Sequence, residues 1–390
     1  MDYLPRSIQK TFRDRLRQFP VVAITGPRQS GKTTLVRKLL PRWKYVSLED
    51  LDMRASATGD PRGFLREWGQ HTIIDEFQKS PDLVSYLQAE VDRQDRPGLY
   101  VLTGSQSYQL HEQVSQSLAG RVALLILYPF AIAELPSSLR EQPAWTRLLQ
   151  GAFPRVVGGI PPEVWYPSYV STYIERDVRQ MLAVKDLLQF QMFVKLLASR
   201  VGQLVNHVSL ARDCGISVPT ARQWLSVLES GYIVARLPPW HSTVRKQLVK
   251  TPKVFFVDTG LLCHLLSIHS PDDLACHVLR GQVFENFVVT ETLKAGANLG
   301  HVPQMFFVRD AAGNEVDLLA SVKGRTVAIE AKSGETAIPA MFKGISWWRE
   351  HSELDAAGIV TYGGGRTLPL AGGKAIPWNQ LGRHLTATWK

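Results

Sequence analysis

Cysteine is scarce. Cys214, Cys263 and Cys276 are the three in 390 residues, and their odd number and wide, irregular spacing exclude both a disulfide framework and a zinc site of paired cysteines. A reducing cytoplasm is the expected home. Long hydrophobic runs are missing too: the greasiest stretch, Val122 to Leu135, is interrupted by Pro129 and Glu134 and falls short of a bilayer's thickness. The first residues, Met1 to Gln9, lack the apolar centre of a secretory signal. Internal repeats and low-complexity tracts are absent, which excludes repeat architectures. Acidic residues are outnumbered, 35 against 45 basic ones, for a net charge of +10. Such an excess fits either a polyanionic partner or a solubilising surface, and its location along the chain has to decide. With 45% hydrophobic and 21% charged residues, the chain is neither disordered nor membrane-embedded, and its length predicts two or three domains.

The run Pro20-Val21-Val22-Ala23-Ile24-Thr25 predicts a buried strand, and Lys32 to Leu40 a helix stopped by Pro41. Between them lies Gly26-Pro27-Arg28-Gln29-Ser30-Gly31-Lys32-Thr33, a full P-loop pattern followed by Thr34. In such a turn the backbone amides cradle phosphates, the lysine reaches the β and γ phosphates, and the Thr33 hydroxyl binds magnesium at the helix start. ATP and Mg2+ are therefore the expected ligands. Ile73-Ile74-Asp75-Glu76 ends a later strand with adjacent carboxylates, Asp75 for the magnesium shell and Glu76 to polarise the attacking water. Leu102-Thr103-Gly104-Ser105 ends another, where Ser105 is placed either to sense the γ phosphate or to cap the strand. Short apolar runs at 45–48, 72–74, 99–102 and 122–127 complete the pattern of a parallel α/β sheet.

Beyond Pro167 the pattern changes to amphipathic helices over 168–182 and 186–201. Ser209 to Gly215 reads as a short helix ended by glycine, and Ser217 caps a second over Val218–Ser230. That helix puts Ala221, Leu225 and Leu228 on one face and leaves Arg222, Gln223 and Ser226 outward, as in a winged helix-turn-helix. The following loop, 238–250, carries His241, Arg245, Lys246 and Lys250 without an acid. The basic excess thus concentrates where a wing would touch phosphates, which favours nucleic acid, DNA foremost, with Arg222, Gln223, Arg245, Lys246 and Lys250 as contacts. The other reading of the same fold is an ATPase lid or subunit contact.

A third region opens at Val254, with a helix over 283–294 and strands at 305–308, 316–320 and 326–331. A two-residue turn at Lys323-Gly324 would set Val322 against Arg325, Asp317 against Glu330 and Glu315 against Lys332. Alternation then gathers Glu315, Asp317, Glu330 and Lys332 on one face. Asp317 and Glu330 are the expected ligands of a divalent metal; a half-exposed strand pair with balanced charges is the alternative.

The chain resembles prokaryotic AAA-type ATPases in which a P-loop core is fused to a C-terminal domain of unknown function. The resemblance rests on Gly26–Leu35, Asp75-Glu76, Thr103-Gly104-Ser105, Ala119-Gly120-Arg121, Glu175-Arg176-Asp177, Val257-Asp258-Thr259-Gly260-Leu261 and Phe284-Glu285-Asn286. It implies ATP hydrolysis with Lys32, Glu76 and Ser105 catalytic, and a homo-oligomer, such as a ring, in which Arg121 or Arg176 completes a neighbour's site. Either arginine could equally be a structural ion-pair partner. The hairpin in turn resembles PD-(D/E)xK nucleases, which implies Glu285, Asp317, Glu330 and Lys332 as nuclease-like residues, although Val316 stands where that motif has proline.

The expected architecture is an AAA-like α/β ATPase core over 1–166, a helical and winged-helix middle over 167–253, and a PD-(D/E)xK-like α/β domain over 254–390. Three readings of the whole follow. One is an ATP-driven protein that remodels or processes DNA, with branched or recombining DNA a natural substrate by analogy; another is an ATP-controlled switch whose DNA-binding and nuclease-like parts only bind; in the third the partner is another protein.

Overall fold

Every residue of the first strand is buried, which calls for cover on both sides. In β1 (Val21–Thr25), Val21 and Ala23 enter one apolar cluster while Val22 and Ile24 enter another. Fully buried strands of this kind belong to a parallel sheet with helices on both faces. The computed structural model, which describes residues 3–105, 118–174, 187–240 and 251–390, has that sheet. β2 (Lys44–Ser47), β3 (Thr72–Asp75), β4 (Tyr100–Thr103) and β5 (Val122–Ile126) join β1 in the order β2-β3-β4-β1-β5. Every pairing in it is parallel. The C-terminal ends of β1 and β3 therefore open on one edge, where a ligand crevice forms in open α/β sheets.

The middle of the chain packs helices Leu187–Ser199, His207–Cys214 and Val218–Ser230. Asn206 and Ser217 cap the second and third through their side chains, and Gly215, with φ of +66°, ends the second as the glycine signal predicts. The helix expected over 168–182 begins earlier, at Pro162, and passes through Pro167 into a π turn over Val170–Ile174. A proline inside a helix lacks the N–H that would sustain regular bonding, so the wider turn follows it.

β6 (Val234–Leu237) pairs antiparallel with β7 (Lys253–Phe256). The domain boundary expected at 253/254 thus falls inside a hairpin: the apolar run that reads as the opening of a new unit closes the previous one. The core is shared between the regions. One continuous apolar cluster runs from Phe130 through Phe153, Phe190, Trp224, Phe255 and Phe287 to Trp389.

The C-terminal region is a mixed sheet in the order β12-β13-β11-β10-β9-β8. It contains β8 (Gln304–Arg309), β9 (Glu315–Val322), β10 (Arg325–Lys332), β11 (Ala357–Tyr362), β12 (Leu368–Leu370) and β13 (Gly373–Pro377). Helix Arg280–Asn298 packs across it, buried over most of its length. Asn286 bonds the backbone N–H and carbonyl of Phe256 at 2.7 and 2.8 Å, tying that helix to β7. Asp258 caps helix Thr259–Leu265 and also accepts from Ala152 N and Tyr166 Oη at 2.7 and 2.6 Å. Two short motifs of the sequence are therefore the joints between regions.

Candidate functional site

The P-loop leaves β1 through Gly26, where φ is +143° and a Cβ would lie 2.2 Å from the Leu127 carbonyl oxygen. Only glycine fits there. The loop then turns through Gln29, with φ of +64°, and Gly31, and the first residues of helix Lys32–Leu39 line a cleft of about 710 Å³. Arg28, Ser30, Gly31, Lys32, Thr33, Thr34, Asp75 and Glu76 line this cleft. Lys32 is buried, and its Nζ donates to the Gly26 and Pro27 carbonyls at 3.0 and 2.9 Å. Burial pulls its ammonium down to about 8, against the opposing pull of Glu76 and Asp75.

Asp75 ends β3 beside the P-loop helix. Thr33 Oγ1 donates to both of its oxygens at 3.2 and 3.0 Å, Tyr45 Oη donates to one at 2.8 Å, and Thr103 Oγ1 donates to the other. A hydroxyl beside a fixed carboxylate suits the hard, oxygen-liking magnesium ion, which keeps several waters and takes one or two protein ligands. Glu76 adopts a left-handed φ of +53°, a strain of the kind that clusters at active sites. The turn brings its carboxylate to Ser105 Oγ at 3.1 Å and to the Gln78 amide. Ser105 thus touches the residue expected to polarise water, at the end of β4, the strand next to β1.

The structure does not bring Arg121 to this cleft. It precedes β5, whose C-terminal end faces the P-loop, so Arg121 sits at the opposite rim and forms a two-pronged pair with Asp92. Arg176 lies outside the described residues, as do His241, Arg245, Lys246 and Lys250 of the basic loop. Arg222 and Gln223 are exposed on helix Val218–Ser230 while Ala221, Trp224, Leu225 and Leu228 are buried, the division the helical spacing predicts.

Sequence reasoning missed Arg6. From the N-terminal segment its guanidinium donates to the Ser30 and Tyr128 carbonyls at 3.0 and 2.6 Å and to Glu134 at 3.3 Å, over the Phe130 ring. Glu134 in turn accepts from Ser7 N and Ala131 N. The pair clamps the P-loop from below, with side chains 4% and 0% exposed. Removing one partner strands a buried charge, so Arg6→Ala should lower unfolding free energy by about 3–5 kcal/mol in urea titrations, with Arg6→Ala/Glu134→Gln recovering part of the loss. Equal stability of Arg6→Ala and parent would deny the clamp. Tyr173 was missed as well; its hydroxyl accepts from the Gln29 amide at 2.7 Å and its ring lies under Arg28.

A second cavity, of about 770 Å³, opens in the C-terminal region between β7, β9, β10 and helix Arg280–Asn298. The turn at Lys323-Gly324 forms as expected, both residues with positive φ, and Val322 pairs with Arg325. Pairing runs to Leu318 and Ile329, beyond which Asp317 Oδ2 accepts from Ala331 N at 2.8 Å. Lys332 reaches Glu330 at 2.5 Å and Asp317 at 3.5 Å. The expected Glu315–Lys332 pairing does not form: Glu315 is taken by Lys253 of β7 at 2.6 Å, which also holds Glu285 at 2.9 Å. With two lysines interleaved among four carboxyls, no three metal-ligating side chains converge on one point among the described residues. Burial, and then the charge of Asp317, push the Glu330 carboxyl up to about 8. Its Oε1 is buried without a hydrogen-bond partner.

Fold and cleft together define an AAA-type P-loop ATPase, and residues 18–136 match the AAA domain family. Residues 142–272 and 280–381 match two domains of unknown function, DUF8612 and DUF4143. The chain is 31% identical over 390 residues to the uncharacterized protein Rv2008c of Mycobacterium tuberculosis (strain ATCC 25618 / H37Rv), covering 96% of this chain and 84% of that one. Mb2031c of Mycobacterium bovis (strain ATCC BAA-935 / AF2122/97) matches to the same extent. The chain belongs to the family of these mycobacterial proteins, an AAA ATPase core followed by a DUF4143 domain. Among solved structures, the Walker-type ATPase PABY2304 of Pyrococcus abyssi shares 15% identity over 68% of this chain and 96% of that one, with a TM-score of 0.42. AMPPCP-bound DnaA from Aquifex aeolicus shares 13% over 57% and 85%, with a TM-score of 0.28. No helix among the described residues is long and apolar enough to cross a membrane.

Proposed function

We propose that this ATPase couples magnesium-dependent ATP hydrolysis to remodelling or processing of DNA. Bound magnesium would neutralise charge on the transferring phosphate, held by Thr33 and by Asp75. Lys32 supplies positive charge to the β and γ phosphates, and the P-loop amides orient them. Glu76 accepts the proton of the attacking water, and Ser105 and Gln78 fix the direction of its carboxylate. Arg176, with Arg121 the alternative, is assigned to a neighbouring subunit's site in a homo-oligomer.

The observation that carries the DNA reading is the helix pair with its following hairpin. Its second helix keeps an apolar face inward and presents Arg222 and Gln223 to solvent, ahead of a loop in which Arg245, Lys246 and Lys250 have no acidic neighbour in sequence. Such a helix can enter the major groove while the basic loop meets the backbone. Arg222→Ala/Gln223→Ala should weaken binding to duplex DNA, and Arg245→Ala/Lys246→Ala/Lys250→Ala should flatten its salt dependence by about one unit of slope for each phosphate no longer neutralised. Anisotropy titrations at several salt concentrations read both. An unchanged slope would assign the charge to solubility alone.

The C-terminal cavity is assigned a divalent ion on Asp317 and Glu330, next to Lys332. These residues fit it: Glu330 Oε1, buried without a hydrogen-bond partner, and the Asp317 carboxylate are hard oxygen donors, and magnesium needs few of them. Glu285 completes the nuclease-like set by position, on the helix beside β9.

A further inference from the structure

β7 belongs to the winged hairpin, yet its first residue is buried in the C-terminal cavity. Lys253 has a side chain 5% exposed, with Nζ 2.9 Å from Glu285 and 2.6 Å from Glu315. It lies 5.3 Å from the centre of the Phe307 ring, which shields it on another side. Its backbone is fixed by pairing with Leu237, so the ammonium is anchored to the hairpin at one end and held by the two carboxylates at the other. Lys332, 35% exposed, serves the other two carboxyls, Asp317 and Glu330. The cavity is thereby divided. In one half a buried lysine satisfies Glu285 and Glu315; in the other, Glu330 Oε1 is buried and unpartnered.

We propose that Lys253 is a built-in cation occupying the place of a second metal, so that this cavity takes a single divalent ion, on Asp317 and Glu330. The inference rests on the metal reading of the cavity and goes beyond it by fixing stoichiometry and by making a residue of the winged hairpin responsible.

Charge supports the division. Four carboxylates face Lys253 and Lys332, with Arg309 3.9 Å from Glu315 and Lys343, exposed, at the rim. One divalent ion would be met by the unpartnered Glu330 oxygen and by Asp317, whereas a second would set a double positive charge against a buried ammonium at a few ångströms, where repulsion is weakly screened. Placing a lysine there also couples the hairpin to the cavity physically: whatever shifts β7 shifts the cation.

The test is a calorimetric titration with manganese chloride, without nucleotide, on the full chain carrying Asp75→Ala so that the ATP cleft presents no carboxylate pair. That background should bind one ion per chain, and Asp317→Asn should weaken it by about 100-fold or more, as expected for loss of a direct ligand. Adding Lys253→Met should expose Glu285 and Glu315 and raise the count to two, while Lys253→Arg keeps it at one. Glu315→Gln, at a half-exposed position, should leave the single ion's affinity unchanged, and this arm decides the matter if Lys253→Met fails to fold. One ion in both Lys253→Met and its parent, at equal affinity, would overturn the inference and leave the metal reading intact. So would loss of the ion in Glu315→Gln, because Glu315 would then be a ligand. No binding by any of the proteins would overturn both.

Discussion

Glu76→Gln should bind ATP as tightly as the parent and hydrolyse it about 10²–10⁴-fold more slowly, the range lost when a general base is removed. Glutamine retains the size of the side chain and can still meet Ser105 Oγ and Gln78, which hold Glu76 in place, so the fold and the cleft should survive. What disappears is the carboxylate that takes the proton of water. Nucleotide affinity by fluorescence titration, paired with single-turnover phosphate release, separates the two effects. Rapid turnover by Glu76→Gln would show that the base lies elsewhere, with the neighbouring Asp75 already committed to Thr33, Tyr45 and Thr103.

Lys32→Ala should lose both binding and turnover. The ammonium is buried, and its ionised form is disfavoured by burial, so its removal should leave unfolding free energy unchanged or raise it; a dead Lys32→Ala protein will be a folded one. Loss of one charge-assisted hydrogen bond weakens ATP by about 10–100-fold, and loss of charge at the transferring phosphate slows hydrolysis by a further 10²–10³-fold or so. The depressed value also gives a pH signature. Below about 8 Lys32 carries its proton before ATP arrives; above it the free protein has released that proton, and binding of the phosphates must take one up. ATP affinity should therefore fall as pH rises from about 8 towards 10 in the parent, and the decline should vanish in Lys32→Ala. An affinity flat across that range in the parent would contradict the assignment.

What was legible in the sequence was local. A P-loop is written by glycine spacing because its turns need positive φ and close backbone approach, as at Gly26 against Leu127. The hairpin turn at Lys323-Gly324 and the cap at Ser217 are likewise short-range. Contacts between distant segments were not legible. Arg6 meets Glu134 across 128 positions, and Lys253 meets Glu315 across 62; neither residue has a local pattern to give it away. Hairpin counting correctly set Val322 against Arg325 but could not foresee that a third strand would supply a lysine and draw Glu315 from Lys332. The region boundary expected at 253/254 falls within β7, which pairs with β6, since an apolar strand looks alike whether it opens a unit or closes one. Asn286 and Asp258 stood inside recognisable motifs, and a buried-polar reading of those motifs could have marked them as joints.

The proposed coupling of ATP to DNA is tested most directly by the steady-state ATPase rate of the full chain with and without duplex and branched DNA, at low and at physiological salt. The account predicts a rate raised several-fold by DNA, with the stimulation declining as salt rises and absent in Arg222→Ala/Gln223→Ala. A rate indifferent to every DNA tested, from a protein whose Glu76→Gln variant is inactive, would contradict it and leave an ATP-controlled switch.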